Sequence, residues 1–116
     1  MMNYIDLSCP AEIFRSAPPT REIPAATLTL FNLSDRVISS AEVCLRLLNG
    51  SGAEMEKLSF RGRALNGRPH STFLMTVPCA PVAALKTIEA TVEKVWFADN
   101  EVWRRNPADT VPYAPN

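Results

Sequence analysis

The sequence predicts an all-β domain, an antiparallel β-sandwich of about seven strands. Three observations lead there. Apolar and polar residues alternate with period two through most of the chain, as half-buried strands require. Ten prolines and four glycines cut that alternation into short segments. The turn signals recur every 8–15 residues, roughly the spacing of a two-sheet fold.

The segments follow in order. A first apolar segment ends at Pro18-Pro19, and Pro24 closes the loop after it. In 26–30, Leu28 and Leu30 point one way, Thr27 and Thr29 the other. In 41–48, Ala41, Val43, Leu45 and Leu47 share a face opposite Glu42, Cys44 and Arg46. In 57–61, Leu58 and Phe60 oppose Lys57, Ser59 and Arg61. In 72–77, Phe73, Met75 and Val77 oppose Thr72, Leu74 and Thr76. In 86–93, Ile88, Ala90 and Val92 oppose Thr87, Glu89, Thr91 and Glu93.

The phase then slips, because Val95 and Phe97 are odd-numbered. One extra residue near Glu93-Lys94 restores the inward face, which is what a β-bulge does. The stretch 96–103 reads as a C-terminal hairpin, within 95–105. A two- or four-residue turn at Asp99-Asn100 sets Phe97 against Val102 and Trp96 against Trp103. A three-residue loop destroys that pairing. Two segments also fit a helix. Ser39 and Glu42 have capping-box spacing with Gly50 just past the end, and Leu85, Ile88, Val92, Val95 and Trp96 fall at helical spacing. The β-branched and aromatic residues of 87–97 favour strand. Pro107, Pro112 and Pro115 exclude a terminal helix. The organisation expected is one domain, 1–106, with a Pro-rich tail, 107–116.

Composition sets further bounds. A chain of 116 residues is one ordinary domain and needs neither disulfides nor a metal to fold. Twelve basic residues balance twelve acidic ones, so the surplus that drives phosphate binding is missing and no nucleic-acid partner is expected. Cys9, Cys44 and Cys79 are an odd number without a C-x-x-C, and His70 is the only histidine. That excludes a closed zinc site on ligand count and fits a reducing compartment. The start, 1–6, has no basic region before an apolar core, so no signal peptide is read and a cytoplasmic location is expected. No stretch approaches the apolar length of a membrane span. Asn32-Leu33-Ser34 and Asn49-Gly50-Ser51 match the glycosylation sequon, which is idle without a secretory route.

The run from Phe31 to Gly52 carries a resemblance. Phe31-Asn32, Ser34 and Ile38 precede a strand ending Leu45-Arg46-Leu47-Leu48-Asn49 and a Gly-rich turn. This resembles the second and third strands of FxLYD-type domains, small immunoglobulin-like modules of bacteria and archaea. Leu47 matches the motif outright. Leu45 stands for its Phe, Leu48 for its Tyr and Asn49 for its Asp. The resemblance covers about a fifth of the chain and implies an immunoglobulin-like or fibronectin type III-like sandwich. It implies no catalytic residues and no cofactor. Many such modules sit in envelope-associated proteins, at odds with the start of this chain.

Candidate chemistry is sparse. Cys79 and His70 flank one strand, which holds them roughly 30 Å apart, so they form no nucleophile–base pair. The Glu residues of 54–56 and 89–93 read as solvated strand faces rather than as a hydrolytic dyad. The best basic patch is Arg61 and Arg63 on one side of a continuing strand, with Arg68 returned beside them by a turn at Asn66-Gly67. It suits an acidic partner, a phosphate or RNA. The plainer reading is a charged edge strand protected against aggregation. Trp96 and Trp103, if paired and exposed, make an aromatic platform. The expectation is therefore a non-catalytic module for protein interaction or assembly, a homodimer included. The alternative is a carbohydrate or small-ligand module using Trp96 and Trp103. A thiol-dependent enzyme lacks its acid–base partners.

Overall fold

The computed structural model describes residues 9–81 and 83–105. The N-terminal start and the Pro-rich tail read from the sequence lie outside the described residues. Seven strands form among the described residues: β1 (Ala11–Ala17), β2 (Ala25–Asn32), β3 (Ile38–Asn49), β4 (Glu54–Gly62), β5 (Thr72–Pro78), β6 (Leu85–Phe97) and β7 (Val102–Arg104). They divide into a three-stranded sheet, β1-β2-β5, and a four-stranded sheet, β4-β3-β6-β7. Every pairing is antiparallel. The described residues include no helix, so none is long and apolar enough to cross a membrane.

The alternation in the sequence is the alternation of the pleat. Leu28 and Leu30 from β2, Val43, Leu45 and Leu47 from β3, and Val77 from β5 are fully buried between the sheets. Met75 and Val92 join the same cluster. Both segments that also fit a helix are strands. A helix would carry only one stripe of these residues inward, whereas the pleat carries each alternate residue into one shared core.

The phase slip is a bulge. Glu42 faces Lys94 while Val43 faces Val92, which leaves Glu93 as the extra residue and turns both Val92 and Val95 inward. Arg105 closes the gap left in the ladder. Its backbone N–H donates to the Glu93 carbonyl at 2.9 Å, and its Nε donates to the Val92 carbonyl at 2.9 Å. A second bulge interrupts β1 between Ile13 and Arg15. It leaves the Phe14 side chain exposed.

The hairpin departs from its expected register. Val95 faces Trp103 and Trp96 faces Val102. The loop has three residues, 98–100, closed by the Phe97 N–H donating to the Glu101 carbonyl at 2.9 Å. Asn100 takes the left-handed conformation at φ 74°, the place where such a loop returns the chain to the ladder. Since the period is two, this one-residue shift sends Trp96 and Trp103 to opposite faces.

At one end of the sandwich the chain crosses between sheets twice, around Asn32, which is fully buried. Its Nδ2 donates to the carbonyls of Arg36 at 2.7 Å and Gly67 at 2.9 Å. Its Oδ1 accepts from the Ser34 N–H at 2.8 Å and the Ser34 hydroxyl at 2.7 Å. Gly67 itself pairs with Ile38 through both N–H and C=O. No side chain fits there, because a Cβ on Gly67 would lie 2.9 Å from the Phe73 ring.

Two substitutions test this end. Asn32→Ala removes four hydrogen bonds around a fully buried side chain, and is expected to cost about 3 kcal/mol or more in urea unfolding. A loss under about 1 kcal/mol would show that the network contributes little. Gly67→Ala is expected to cost about 1–3 kcal/mol through overpacking. Phe73→Leu in the same chain should recover part of that loss, whereas strictly additive losses would locate the strain elsewhere.

Candidate functional site

A cleft of about 640 Å³ lies at the same end, beside the hairpin. Three chain segments build it. The turn after β2 brings Leu33, Ser34 and Arg36. The hairpin brings Phe97, Glu101, Val102, Trp103 and Arg104. The residues before β1 bring Cys9 and Pro10. Asn32 holds the turn in place by bonding both Ser34 and Arg36.

A backbone bond ties the hairpin to that turn, the Ala98 N–H donating to the Val37 carbonyl at 2.9 Å, and charge adds to it. The Arg36 guanidinium stands 3.6 Å from Asp99 and 3.6 Å from Glu101, and it lies over the Phe97 ring at 4.5 Å from the centroid. Each contact is half exposed and worth little alone. Together they place one cation over an aromatic floor. The floor continues with Trp103, which packs against the core and lies under Arg105 at 5.4 Å. Leu33 and Val102 are exposed at 49% and 48%, large for aliphatic side chains. The cleft thus presents apolar and aromatic area with cations and one carboxylate at its rim.

The residues singled out from the sequence are dispersed. Trp103 faces inward and lines the cleft. Trp96 lies on the outer face of the four-stranded sheet, with Arg61 at 3.7 Å and Lys94 at 4.9 Å from its ring centroid. The paired tryptophan platform is therefore not formed. Arg61 reaches Trp96 across β3, so cation–π attraction holds the side chain there.

The three arginines share no strand. β4 ends at Gly62 instead of continuing through Arg63. The chain beyond it is irregular, with positive φ at Ala64 and Asn66, and is tied to β3 by the Leu65 N–H donating to the Ser39 carbonyl at 2.9 Å. Arg63 and Arg68 are exposed on this crossover. His70 pairs with Asp35 at 2.7 Å.

Leu33, Arg36 and Glu101 are the residues the sequence did not single out. Their importance comes from contacts between segments about 65 residues apart, which no local spacing records. One cue was present. Ser34 follows Asn32 by two residues, the spacing of an Asx turn.

The thiols are free among the described residues. Burial pushes the Cys9 thiol up from its ordinary value of 9.0, and the nearby Arg105 charge offsets part of that. Burial also pushes Cys79 up, helped by the negative charge of Glu56. Raised values oppose thiolate formation, the reverse of what a nucleophile needs. No group of three or more His, Cys, Asp or Glu among the described residues is placed to hold a metal ion.

No protein-family model matches the sequence, and no curated protein matches it. A solved structure shares the fold, that of a hypothetical protein from Peptoclostridium difficile 630. It superposes with a TM-score of 0.66 at 12% identity, covering 87% of this chain and 88% of that one. At that identity the likeness is one of fold.

The thiols supply a test. Cys9 and Cys79 are expected to resist alkylation in the native protein at neutral pH and to react on unfolding in urea. Rapid native labelling of Cys79 would contradict its burial. The pH dependence has a definite sign. Unfolded thiols ionise first, so the folded state keeps more protons as pH rises through the unfolded value. The contribution of these thiols to stability is constant below about pH 8 and falls above it. Replacing both with alanine should flatten that alkaline fall in a urea-midpoint titration.

Proposed function

We propose that this chain is a non-catalytic, immunoglobulin-like module of the fibronectin type III-like kind, which binds a protein partner in the cleft beside its C-terminal hairpin. The strand order supports the fold assignment. Constant-type immunoglobulin domains set the fourth strand on the first sheet. Here β4 pairs with β3, giving the three-plus-four division of the fibronectin-like variant. Asn49 supports it as well. At the position where the FxLYD pattern has Asp, its Oδ1 accepts from the Ser51 and Ala53 N–H groups at 2.9 and 3.0 Å. That is a role a carboxylate fills equally.

The observation that carries the binding assignment is the composition of the cleft. Trp103 forms its floor, Arg36 and Arg104 stand at its rim, and exposed Leu33 and Val102 flank it. Tryptophan and arginine dominate protein-binding hot spots, and aliphatic surface around them excludes water. A sugar platform lacks such support, since Trp96 and Trp103 face opposite ways.

Photo-crosslinking tests the reading. A photoreactive residue at Val102, in cells of the source organism, is expected to give a discrete crosslinked species. Leu33→Asp should lower its yield about tenfold or more, as the loss of a hot-spot contact does. The same photoreactive residue at Lys57, on the far sheet edge, should give none. Equal yields at both positions, or none at Val102, would reject the assignment.

A further inference from the structure

Among the described residues, the β5 edge of the three-stranded sheet is unlike the other sheet edges. Edge strands expose unpaired backbone groups, and proteins blunt them with charge, bulges or brevity. β1 carries Glu12 and Arg15 and a bulge. β4 carries Glu54, Glu56, Lys57 and Arg61. β7 has three residues. β5 has none of these devices over its seven residues, Thr-Phe-Leu-Met-Thr-Val-Pro. It pairs with β2 without a register shift, and only its final residue is a proline.

The ladder shows which backbone groups are open. The Asn32 N–H donates to the Ser71 carbonyl at 2.9 Å, and the Cys79 N–H donates to the Pro24 carbonyl at 3.1 Å. In an antiparallel pair, bonded and non-bonded positions alternate. Leu30 with Phe73, Leu28 with Met75 and Ala26 with Val77 are therefore bonded positions in this register. Thr72, Leu74 and Thr76 turn both N–H and C=O toward the open edge. Their side chains lie on the outer face, where Leu74 is 63% exposed, the highest of the exposed large hydrophobic residues.

We propose that β5 pairs antiparallel with β5 of a second copy of this chain, on a two-fold axis through Leu74. The outward residues Thr-Leu-Thr read the same in both directions. An antiparallel copy therefore meets them in register, with Thr72 opposite Thr76 and Leu74 opposite Leu74. Hydroxyl meets hydroxyl, leucine meets leucine, and no charge stands on either strand to oppose the approach. The three open residues of each copy then exchange both backbone bonds. Phe73 and Met75 stay in their own cores, so no core rearranges. The outer face of β2 continues the match, because its residues Ala25, Thr27, Thr29 and Phe31 are also uncharged. The contact is isologous, so assembly stops at two.

The surface is distinct from the hairpin cleft, and its test needs only the purified chain. A short edge pairing is a small interface, so a dimer that forms with rising concentration is expected. Sedimentation equilibrium from about 5 to about 500 μM brackets the range for such contacts. The wild-type mass should rise from one chain toward two. Leu74→Lys places like charges on the axis at an exposed position and should hold the protein monomeric. Phe14→Lys, an exposed change on the opposite edge of the same sheet, should leave the dimer intact. Hydrogen exchange on wild type needs no variant: the Thr72, Leu74 and Thr76 amides should slow at least tenfold between the ends of the series. A wild type monomeric throughout, a species larger than a dimer, a dimer that survives Leu74→Lys, or amides whose exchange ignores concentration would each overturn the proposal.

Discussion

The fold depends on one buried amide. Two sheets can share a core only if the chain leaves one and enters the other, and such crossings break the ladder and strand backbone groups in the interior. Asn32 stands where two of the three crossings meet. Its two donors take the Arg36 and Gly67 carbonyls, and its oxygen takes the N–H and hydroxyl of Ser34. A buried amide left half-satisfied would cost more than an apolar residue. This one is satisfied at every hydrogen-bonding site it has. The same bonds fix the turn that forms one wall of the cleft, so stability at this end and the shape of the candidate site have a common origin.

Much of the sandwich was legible because its signal is local. Period two in 41–48 and 72–77 marked the inward residues directly, and all of those are buried. The bulge at Glu93 was legible as a change of parity between Val92 and Val95. β1 gave no clean alternation, since its own bulge at Phe14 puts Ile13 and Ser16 on one face across an odd gap. The hairpin shows the limit most clearly. Asp99 and Asn100 both tolerate positive φ, so their identities admit loops of different length. Only Asn100 adopts it, and the resulting three-residue loop turns Trp103 to the inner face, where it packs against the core. Nor does the sequon at Asn32 report its role. Both protons of its Nδ2 are already bonded inside the protein, which leaves no nitrogen for a glycan.

A balanced net charge conceals an uneven surface. The outer face of the four-stranded sheet is laced with ions. Arg46 reaches Glu54 at 2.9 Å and Glu89 at 2.6 Å, spanning β4, β3 and β6. These carboxylates hold the Arg46 guanidinium above its ordinary pKa. Lys94, Arg61 and Trp96 extend the polar face. On the other sheet, the outward residues of β2 and β5 carry no charge at all. Both faces arise from the same alternation, and neither affects the core. What fills the outward positions is therefore free of folding constraints, and the difference between the two sheets points to different surroundings.

The layout of the edges separates the two surfaces. β4 and β5 are neighbours across one side of the sandwich, and β1 and β6 across the other, with β7 beyond β6. The uncharged strand β5 thus lies on the side opposite the hairpin that bounds the cleft. A contact along β5 leaves Leu33, Arg36 and Trp103 uncovered, and a segment seated in the cleft leaves β5 open. A charge-free edge is a hazard for a chain that stays alone, because its open backbone groups can pair with any exposed strand. Two-fold pairing through Leu74 removes the hazard by using the edge once on each copy. Neither surface then competes for the residues of the other.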